Sequence, residues 1–451
     1  MAKNKSITRR KALKLAAGAA GATALPLVHV RTASAATKLS LGVWDHWVKA
    51  ADPVMRGIVN DWAKKNNVEV TLDFITSTGN KMILTQAAEA QAMSGHDILA
   101  FDQWNIQQYA SKLVPVDDVM DGLIKKYGPV SKAVEYLGKK DGHWAGVPMA
   151  WGSAPLPPVG RISWLKKYTG EDVTAWYPAK AEKTAGADAW TYEKMLEMAG
   201  KCHKAGHPIA LGCGNNSTDA NQTWGTIFGA FGAHLVNEKG DVVVDSEPVR
   251  ECLDDVKRLI AFLPPETISY DDAANNRALL SGVASMIWNP PSAWAVAKRD
   301  NIEIAKDLWH FPTPKGKAGR LVPYRPYHWG IREWADNKSA AKDLLTHLSQ
   351  REVVEKLSVP AVGYDIPPFL SMSDLPIWAE AEPPKGTLYN YPLRPHHEAE
   401  YYIVGSSAPP DIAVQLWGNY MYPQMAARMV QGASPKQVMD WAQGELEGLR
   451  R

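Results

Sequence analysis

Two periods of hydrophobic spacing alternate along the chain from residue 37 onward. Leu39-Ser40-Leu41-Gly42-Val43 reads as a strand, and Val68, Val70, Leu72 and Phe74 alternate with polar residues as a second one. Between them, Val54, Met55, Ile58, Val59 and Trp62 fall on one helical face. Asp52-Pro53 marks the start of that helix, with Asp as the N-cap and Pro at the first position. A further helix is expected around Lys81–Met93, ended by Ser94-Gly95. Asp97-Ile98-Leu99-Ala100-Phe101 follows as a short buried strand. This βαβαβ order implies a parallel sheet with helices on its faces. Ligands of such sheets bind beyond the carboxyl ends of the strands. Those ends are Trp44-Asp45-His46-Trp47, Thr76-Ser77-Thr78-Gly79-Asn80 and Asp102-Gln103-Trp104.

The pattern breaks at Gly146-Val147-Pro148 and at Trp151-Gly152-Ser153-Ala154-Pro155-Leu156-Pro157-Pro158, which is too rich in proline for a regular helix. It then resumes. Thr191 is placed to cap a helix that runs to about Lys204 and stops at Gly206. Pro208-Ile209-Ala210-Leu211-Gly212 is a strand that opens into Cys213-Gly214-Asn215-Asn216-Ser217. Ser246 and Pro248 start a helix with Val249, Cys252, Leu253, Val256 and Leu259 on one face. Another helix ends at Ala278-Leu279-Leu280, and Val283 to Trp288 reads as a strand leading into Asn289-Pro290-Pro291-Ser292. Helices dominate from Ser339, and no tandem repeat is present.

Charge changes the picture at the N-terminus. The chain of 451 residues is long enough for two lobes, and its 45% hydrophobic and 22% charged content is that of a globular protein. Its net charge of +2 is misleading. Residues 1–35 hold seven positive side chains (Lys3, Lys5, Arg9, Arg10, Lys11, Lys14, Arg31) and no acid, so the rest carries −5. A mildly acidic body without a basic run argues against nucleic acid as a partner. Arg9-Arg10 precede the apolar stretch Leu15 to Val28, and Ala33-Ser34-Ala35 offers small residues for cleavage. These are the marks of a twin-arginine export signal, read by the twin-arginine machinery and removed. The remainder is then expected in the periplasm, since no later run reaches the ~20 apolar residues of a bilayer span. Cys202, Cys213 and Cys252 are an odd count and no disulfide framework. One disulfide stays open, and spacing does not choose its pair. Tryptophan outnumbers phenylalanine 18 to 7, which supplies large flat faces with a polar N–H for amphipathic rings.

Several stretches resemble family 1 extracellular solute-binding proteins, the maltose-binding type that serves ABC importers. Asp141-Gly142-His143-Trp144-Ala145-Gly146-Val147-Pro148 is similar to the family's D-G-x-x-x-G-V-P. Asn276 through Met286 (NRALLSGVASM) is similar to its A-L-x-x-G-x-A-A-M signature, with Ser285 in place of the second Ala. Asn289-Pro290-Pro291-Ser292-Ala293-Trp294 resembles the N-G-P-W-A-W that follows. Phe311-Pro312-Thr313-Pro314, Trp329-Gly330-Ile331, Ser339-Ala340-Ala341-Lys342 and Gln431 through Val438 keep the family's order. Pro155-Leu156-Pro157-Pro158 departs from it, standing where members carry a strand. The resemblance implies a two-lobed α/β periplasmic-binding-protein fold (type II), each lobe a mostly parallel sheet flanked by helices, with the ligand cleft at the hinge. It places lobe one at residues 36–146 and 301–337 and lobe two at 147–300 and 338–451. It further implies a permease and a separate ATPase subunit as partners, and a monomer.

A sugar or polyol needs planar donors and acceptors for its hydroxyls and aromatic platforms for its apolar faces. The strand-end loops supply that mix. From lobe one these are Trp44, Asp45, His46, Asn80, Asp102, Gln103 and Trp104. From lobe two they are Trp151, Asn215, Asn216, Trp224, Trp288, Asn289, Tyr364 and Asp365. Asp45 and Asp102 are also placed to cap helices, and Asn215 and Asn216 suit a turn. Trp104→Ala or Asp102→Ala is expected to weaken ligand binding about tenfold or more without unfolding. No G-x-S-x-G, H-E-x-x-H or G-x-x-x-x-G-K-[ST] occurs. His203 and His207, near Cys202, are split by the helix stop at Gly206, and His396-His397-Glu398 reads as a solvated loop, so neither a metal nor a cofactor is expected. The reading is therefore a binding protein and no enzyme. Its rivals are an exported glycosidase or lyase, and a binder of a phosphorylated polyol such as glycerol phosphate, for which Arg325 and Arg394 are candidates.

Overall fold

The computed structural model describes residues 37–76, 78–176, 184–215, 217–378, 384 and 399–449. The expected leader, Arg394 and His396-His397-Glu398 lie outside them. Strands β1 (Thr37–Trp44), β2 (Val68–Ile75) and β3 (Ile98–Asp102) form the parallel centre of a sheet, with the helices Ala51–Asn66 and Lys81–Ala92 as crossovers. Burial decides their order. β3 is buried along its whole length beside β1, whereas β2, at the edge, buries only Leu72 and leaves its other positions half-buried or exposed. The inner face of the first helix is the expected one: Met55, Ile58, Val59 and Trp62 are buried. Asp52 does not cap it. Its carboxylate sits in the first turn and accepts the His46 N–H at 2.9 Å, so it fixes the loop after β1 instead.

A short hairpin, β4 (Lys139–Lys140) with β5 (His143–Trp144), precedes β6 (Val147–Pro155). β6 and β11 (Arg320–Ile331) run antiparallel and extend the first sheet to the order β12-β11-β3-β1-β2, with β6 on β11 and β12 being Ala399–Tyr402. The register of β6 against β11 shifts between Arg325 and Tyr327. Pro326 lies at that point; it cannot donate to the ladder, and a bulge is where a strand tolerates it. The second sheet has the order β10-β7-β9-β8, from β7 (Pro158–Arg161), β8 (Ile209–Ala210), β9 (Met286–Trp288) and β10 (Leu308–His310). Pro155-Leu156-Pro157-Pro158 thus carries the chain from one sheet to the other. Its backbone stays paired: Leu156 N–H donates to the Pro323 carbonyl and Asn289 N–H to the Pro157 carbonyl.

Helix signals hold where a capping side chain exists. Thr191 Oγ1 accepts the Lys194 N–H at the start of Tyr192–Lys204, and Ser217 Oγ accepts the Ala220 N–H at the start of Thr218–Phe231. The Cys252 helix, Glu247–Ile260, buries the five residues of its expected stripe. Thr218–Phe231 was not legible as a helix. All of its residues are buried, so it shows no polar face and no amphipathic period.

Two differences from the expected lobe boundaries follow from packing. β10, within the expected second segment of lobe one, pairs with β7 of the second sheet. The helices Lys338–Leu348 and Arg351–Ser358, assigned to lobe two, pack on Ala51–Asn66 and, for the former, β1 of the first sheet. An apolar helical face fits any open apolar surface, and sequence does not say which sheet offers it. The three cysteines are buried free thiols, and no disulfide joins them. Burial pushes the Cys213 thiol up to about 12. No helix among the described residues is long and apolar enough to cross a membrane.

Candidate functional site

The carboxyl end of β1 enters an aromatic nest. Trp44 stacks on His46 at 5.0 Å between ring centres and lies 6.3 Å from Trp151 and 5.9 Å from Tyr327. His46 meets Trp151 edge-on at 4.7 Å and Tyr364 at 5.0 Å. The Trp151 N–H donates to the Trp44 carbonyl, which ties β6 to the end of β1. His46 Nδ1 accepts the Val48 N–H at 3.0 Å, so its ring proton lies on Nε2, 3.0 Å from Asp365 Oδ1. The same Asp365 oxygen accepts the Gly152 N–H at 2.8 Å. Five of the expected residues, Trp44, His46, Trp151, Tyr364 and Asp365, are thereby brought together from distant parts of the chain.

Gly152 is the condition for this nest. Its φ is +84°, and a Cβ there would stand 2.5 Å from Trp44 Nε1. Gly152→Ala is expected to cost about 2–4 kcal/mol, combining left-handed strain with overpacking. Urea denaturation measures this; an unchanged midpoint would mean that Trp44 is not held where the structure puts it.

Tyr327 links the nest to a charged cluster. The β11 bulge turns Arg325 and Tyr327 to one side, and Arg325 Nη2 donates to the Tyr327 hydroxyl at 2.7 Å. Arg325 Nη1 donates to Asp219 Oδ1 at 2.9 Å, and Nη2 lies 3.4 Å from Asp102 Oδ2. Asp102 closes β3 opposite Tyr327, while Asp219 sits in the first turn of Thr218–Phe231. One guanidinium thus joins the end of a first-sheet strand to the start of a helix that packs on β11. Asp272 faces that same helix start, accepting from the Ser217 and Thr218 hydroxyls at 2.6 and 2.8 Å and from the Asp219 N–H at 3.1 Å. A carboxylate is favoured there by the helix dipole and free N–H groups.

Burial sets the protonation of the pair. Loss of solvation pushes Asp102 up to about 6, against the pull of Arg325. It pushes Asp219 up to about 8, with Asp272 adding like-charge repulsion. Several polar atoms around the cluster are buried without a partner: Asp102 Oδ1, Arg325 Nε, Asp365 Oδ2 and the N–H groups of Trp44 and Trp288. Trp288 lines a cavity of about 10 Å³ together with Asp219 and Asn275. That is room for about one water molecule.

The other expected residues are placed differently. Asp45 pairs with Lys49 at the surface. Gln103 Nε2 donates to the Tyr324 carbonyl, and Trp224 N–H to the Gly212 carbonyl at 2.7 Å. Trp104 packs edge-on against Tyr136 and donates to the Val404 carbonyl at 2.7 Å. Asn289 donates to Ser292 Oγ and accepts from Asn275, closing the turn that leads into Ser292–Asp300. These amides and indoles hold backbone, as buried polar groups must. Asn80 reaches Tyr420, whose phenol is raised by burial and lies within electrostatic reach of the cluster. Asn215 is exposed in its loop, and Asn216 lies outside the described residues. His203 and His207 each bond a backbone carbonyl, of Phe262 and Gly282. Asp219, Asp272, Asn275, Tyr327 and Tyr420 had no motif to reveal them. The one usable signal was Ser217-Thr218-Asp219, a helix-capping run after a strand end.

Solved structures share this architecture. T. maritima MalE3 with bound maltose matches with a TM-score of 0.74 at 18% identity, over 92% of this chain and 100% of that one. A sugar transporter from Arthrobacter chlorophenolicus A6 with bound laminaribiose matches at 0.71 and 15%, over 92% and 99%. An ABC transporter solute-binding protein from Agrobacterium radiobacter K84 in complex with ribitol matches at 0.70 and 15%, over 92% and 98%. The fold is therefore the two-lobed α/β fold of periplasmic binding proteins. No curated protein matches the chain significantly in sequence. The profile of bacterial extracellular solute-binding proteins matches residues 57–384, and the chain belongs to that family. Its role is solute capture outside the cytoplasm.

Proposed function

We propose that this chain is the substrate-binding component of an ABC-type importer that captures a sugar or polyol and delivers it to a membrane permease driven by a separate ATPase. The observation that carries the reading is the convergence, at the strand ends, of aromatic rings with buried polar atoms that lack partners. Hydroxyls offer a donor and an acceptor at each position, which is what such a mixed set requires. The ligands named for the solved structures of the same fold, maltose, laminaribiose and ribitol, belong to that class. Selectivity would come from leaving a wrongly placed hydroxyl unpaired, at about 1–3 kcal/mol each. Arg325 does not favour a phosphorylated polyol, because two carboxylates already face it.

The leader reading belongs here too: export by the twin-arginine route, cleavage after Ala35 and action in the periplasm as a monomer. N-terminal sequencing of the exported protein checks the cut, and an intact Met1 refutes it. A thermal-shift screen of the mature chain against sugars, polyols, amino acids and phosphates tests the solute class. A ligand at about 100 times its Kd adds about 2.7 kcal/mol of stability. Shifts with amino acids or phosphates alone overturn the reading, and turnover of a bound oligosaccharide would favour a glycosidase or lyase.

A further inference from the structure

The cluster around Arg325 holds more negative than positive charge. Asp102 approaches the guanidinium from β3, Asp219 from the helix Thr218–Phe231, and Asp272 acts on both electrostatically. The remaining groups facing it are uncharged: the phenols of Tyr327, Tyr364 and Tyr420 and the amides of Asn80 and Asn275. Asp365, the residue after Tyr364, adds a carboxylate held by His46 and the Gly152 N–H. One guanidinium therefore faces three carboxylates, Asp102, Asp219 and Asp272, while Asp365 lies beyond them. Removing such charges from water is costly unless protons or further cations compensate them.

The unpartnered atoms specify what would compensate. Asp102 Oδ1 accepts no hydrogen bond although the residue is only 4% exposed, so it calls for a donor. Arg325 Nε and the Trp44 and Trp288 N–H groups call for acceptors. No three carboxylates, imidazoles or thiols among the described residues lie close enough to hold a metal ion. A quaternary ammonium has no N–H to give Asp102. A primary ammonium gives up to three, and hydroxyl oxygens on the same molecule accept from the indoles.

We propose that Asp102 and Asp219 form an ammonium subsite, and that the solute is a hydroxylated primary amine such as an amino sugar or amino polyol. This rests on the sugar-or-polyol reading above and narrows it. The proton bookkeeping follows from the Asp219 carboxyl, which is raised to about 8 and so holds a proton at neutral pH. The incoming ammonium keeps its own protons, and the Asp219 proton leaves to buffer.

The test is calorimetric titration of the mature protein with matched pairs, glucosamine against glucose and glucamine against sorbitol. Each is run in phosphate and in imidazole, which is neither a primary amine nor hydroxylated, and their different ionisation heats report proton release. In at least one pair the amine binds about tenfold tighter or more, with close to one proton released, and Asp219→Asn brings the ratio near one. Neutral members that bind as tightly as their amines overturn the inference and leave the sugar reading intact. An Asp219→Asn variant that keeps the tenfold preference overturns the assignment to this subsite. If none of these probes binds while a neutral sugar or oligosaccharide such as maltose does, the inference is overturned alone; if no sugar or polyol binds at all, both readings are overturned.

Discussion

Arg325→Ala loses about 3–5 kcal/mol of stability near neutral pH, the cost of leaving a buried charge without its partner. The residue is 6% exposed and holds Asp219 at 2.9 Å, so bulk solvent screens the pair little. The loss is pH-dependent, and its sign can be worked out. Asp102 and Asp219 are raised from 3.8 to about 6 and about 8. Their folded pKa values exceed the unfolded ones, so the stability they contribute is full below about 4 and falls as pH rises through 6 and 8. Arg325 limits that fall by stabilising the ionised forms. Its removal therefore matters most at about pH 8 and least at about pH 5, where both carboxyls are protonated in either protein. Urea unfolding of the two proteins at both pH values decides it. An equal loss at pH 5 and pH 8 would mean that Arg325 serves packing and not charge.

Trp104→Ala is expected to cost a further large amount, about 3–5 kcal/mol for the cavity. The indole is fully buried, and its N–H is the donor to the Val404 carbonyl, which would be left without that bond. Val404 in turn packs on the helix Thr218–Phe231 at Gly225, where a Cβ would collide with Val404 Cγ1. Trp104 therefore anchors the segment after β12 between the end of β3 and that helix. Sequence reasoning expected weaker ligand binding from this change without unfolding. The structure assigns the indole a packing role, so the midpoint of denaturation should move first. Trp104→Phe keeps most of the ring and should recover more than half of the loss. Unchanged stability in the alanine variant, with ligand affinity lost, would return Trp104 to the list of platforms.

Local signals made much of the fold legible. The alternation at Val68 to Phe74, the stripe through Cys252 and the cap at Thr191 act within a few residues, and each appears where its pattern placed it. The strand-end rule singled out Trp44, His46 and Asp102 for the same reason: a strand's end is a local property. The fully buried helix Thr218–Phe231 escaped because burial on every side erases amphipathic period, and Asp219 escaped with it. The choice between indoles that line the site and indoles that hold backbone also escaped, because Trp44 and Trp104 read alike until a partner for each N–H is known.

Sequence by itself determined the alternating strand and helix order, the hydrophobic core stripes and the supply of indoles and carboxylates at strand ends. Only the tertiary structure decided that Asp102, Asp219 and Arg325 share one buried cluster, although 223 residues separate Asp102 from Arg325. The reason is physical: spacing along a chain sets local torsions and faces, while charge pairing and desolvation depend on distances through space that only the packed sheets and helices fix.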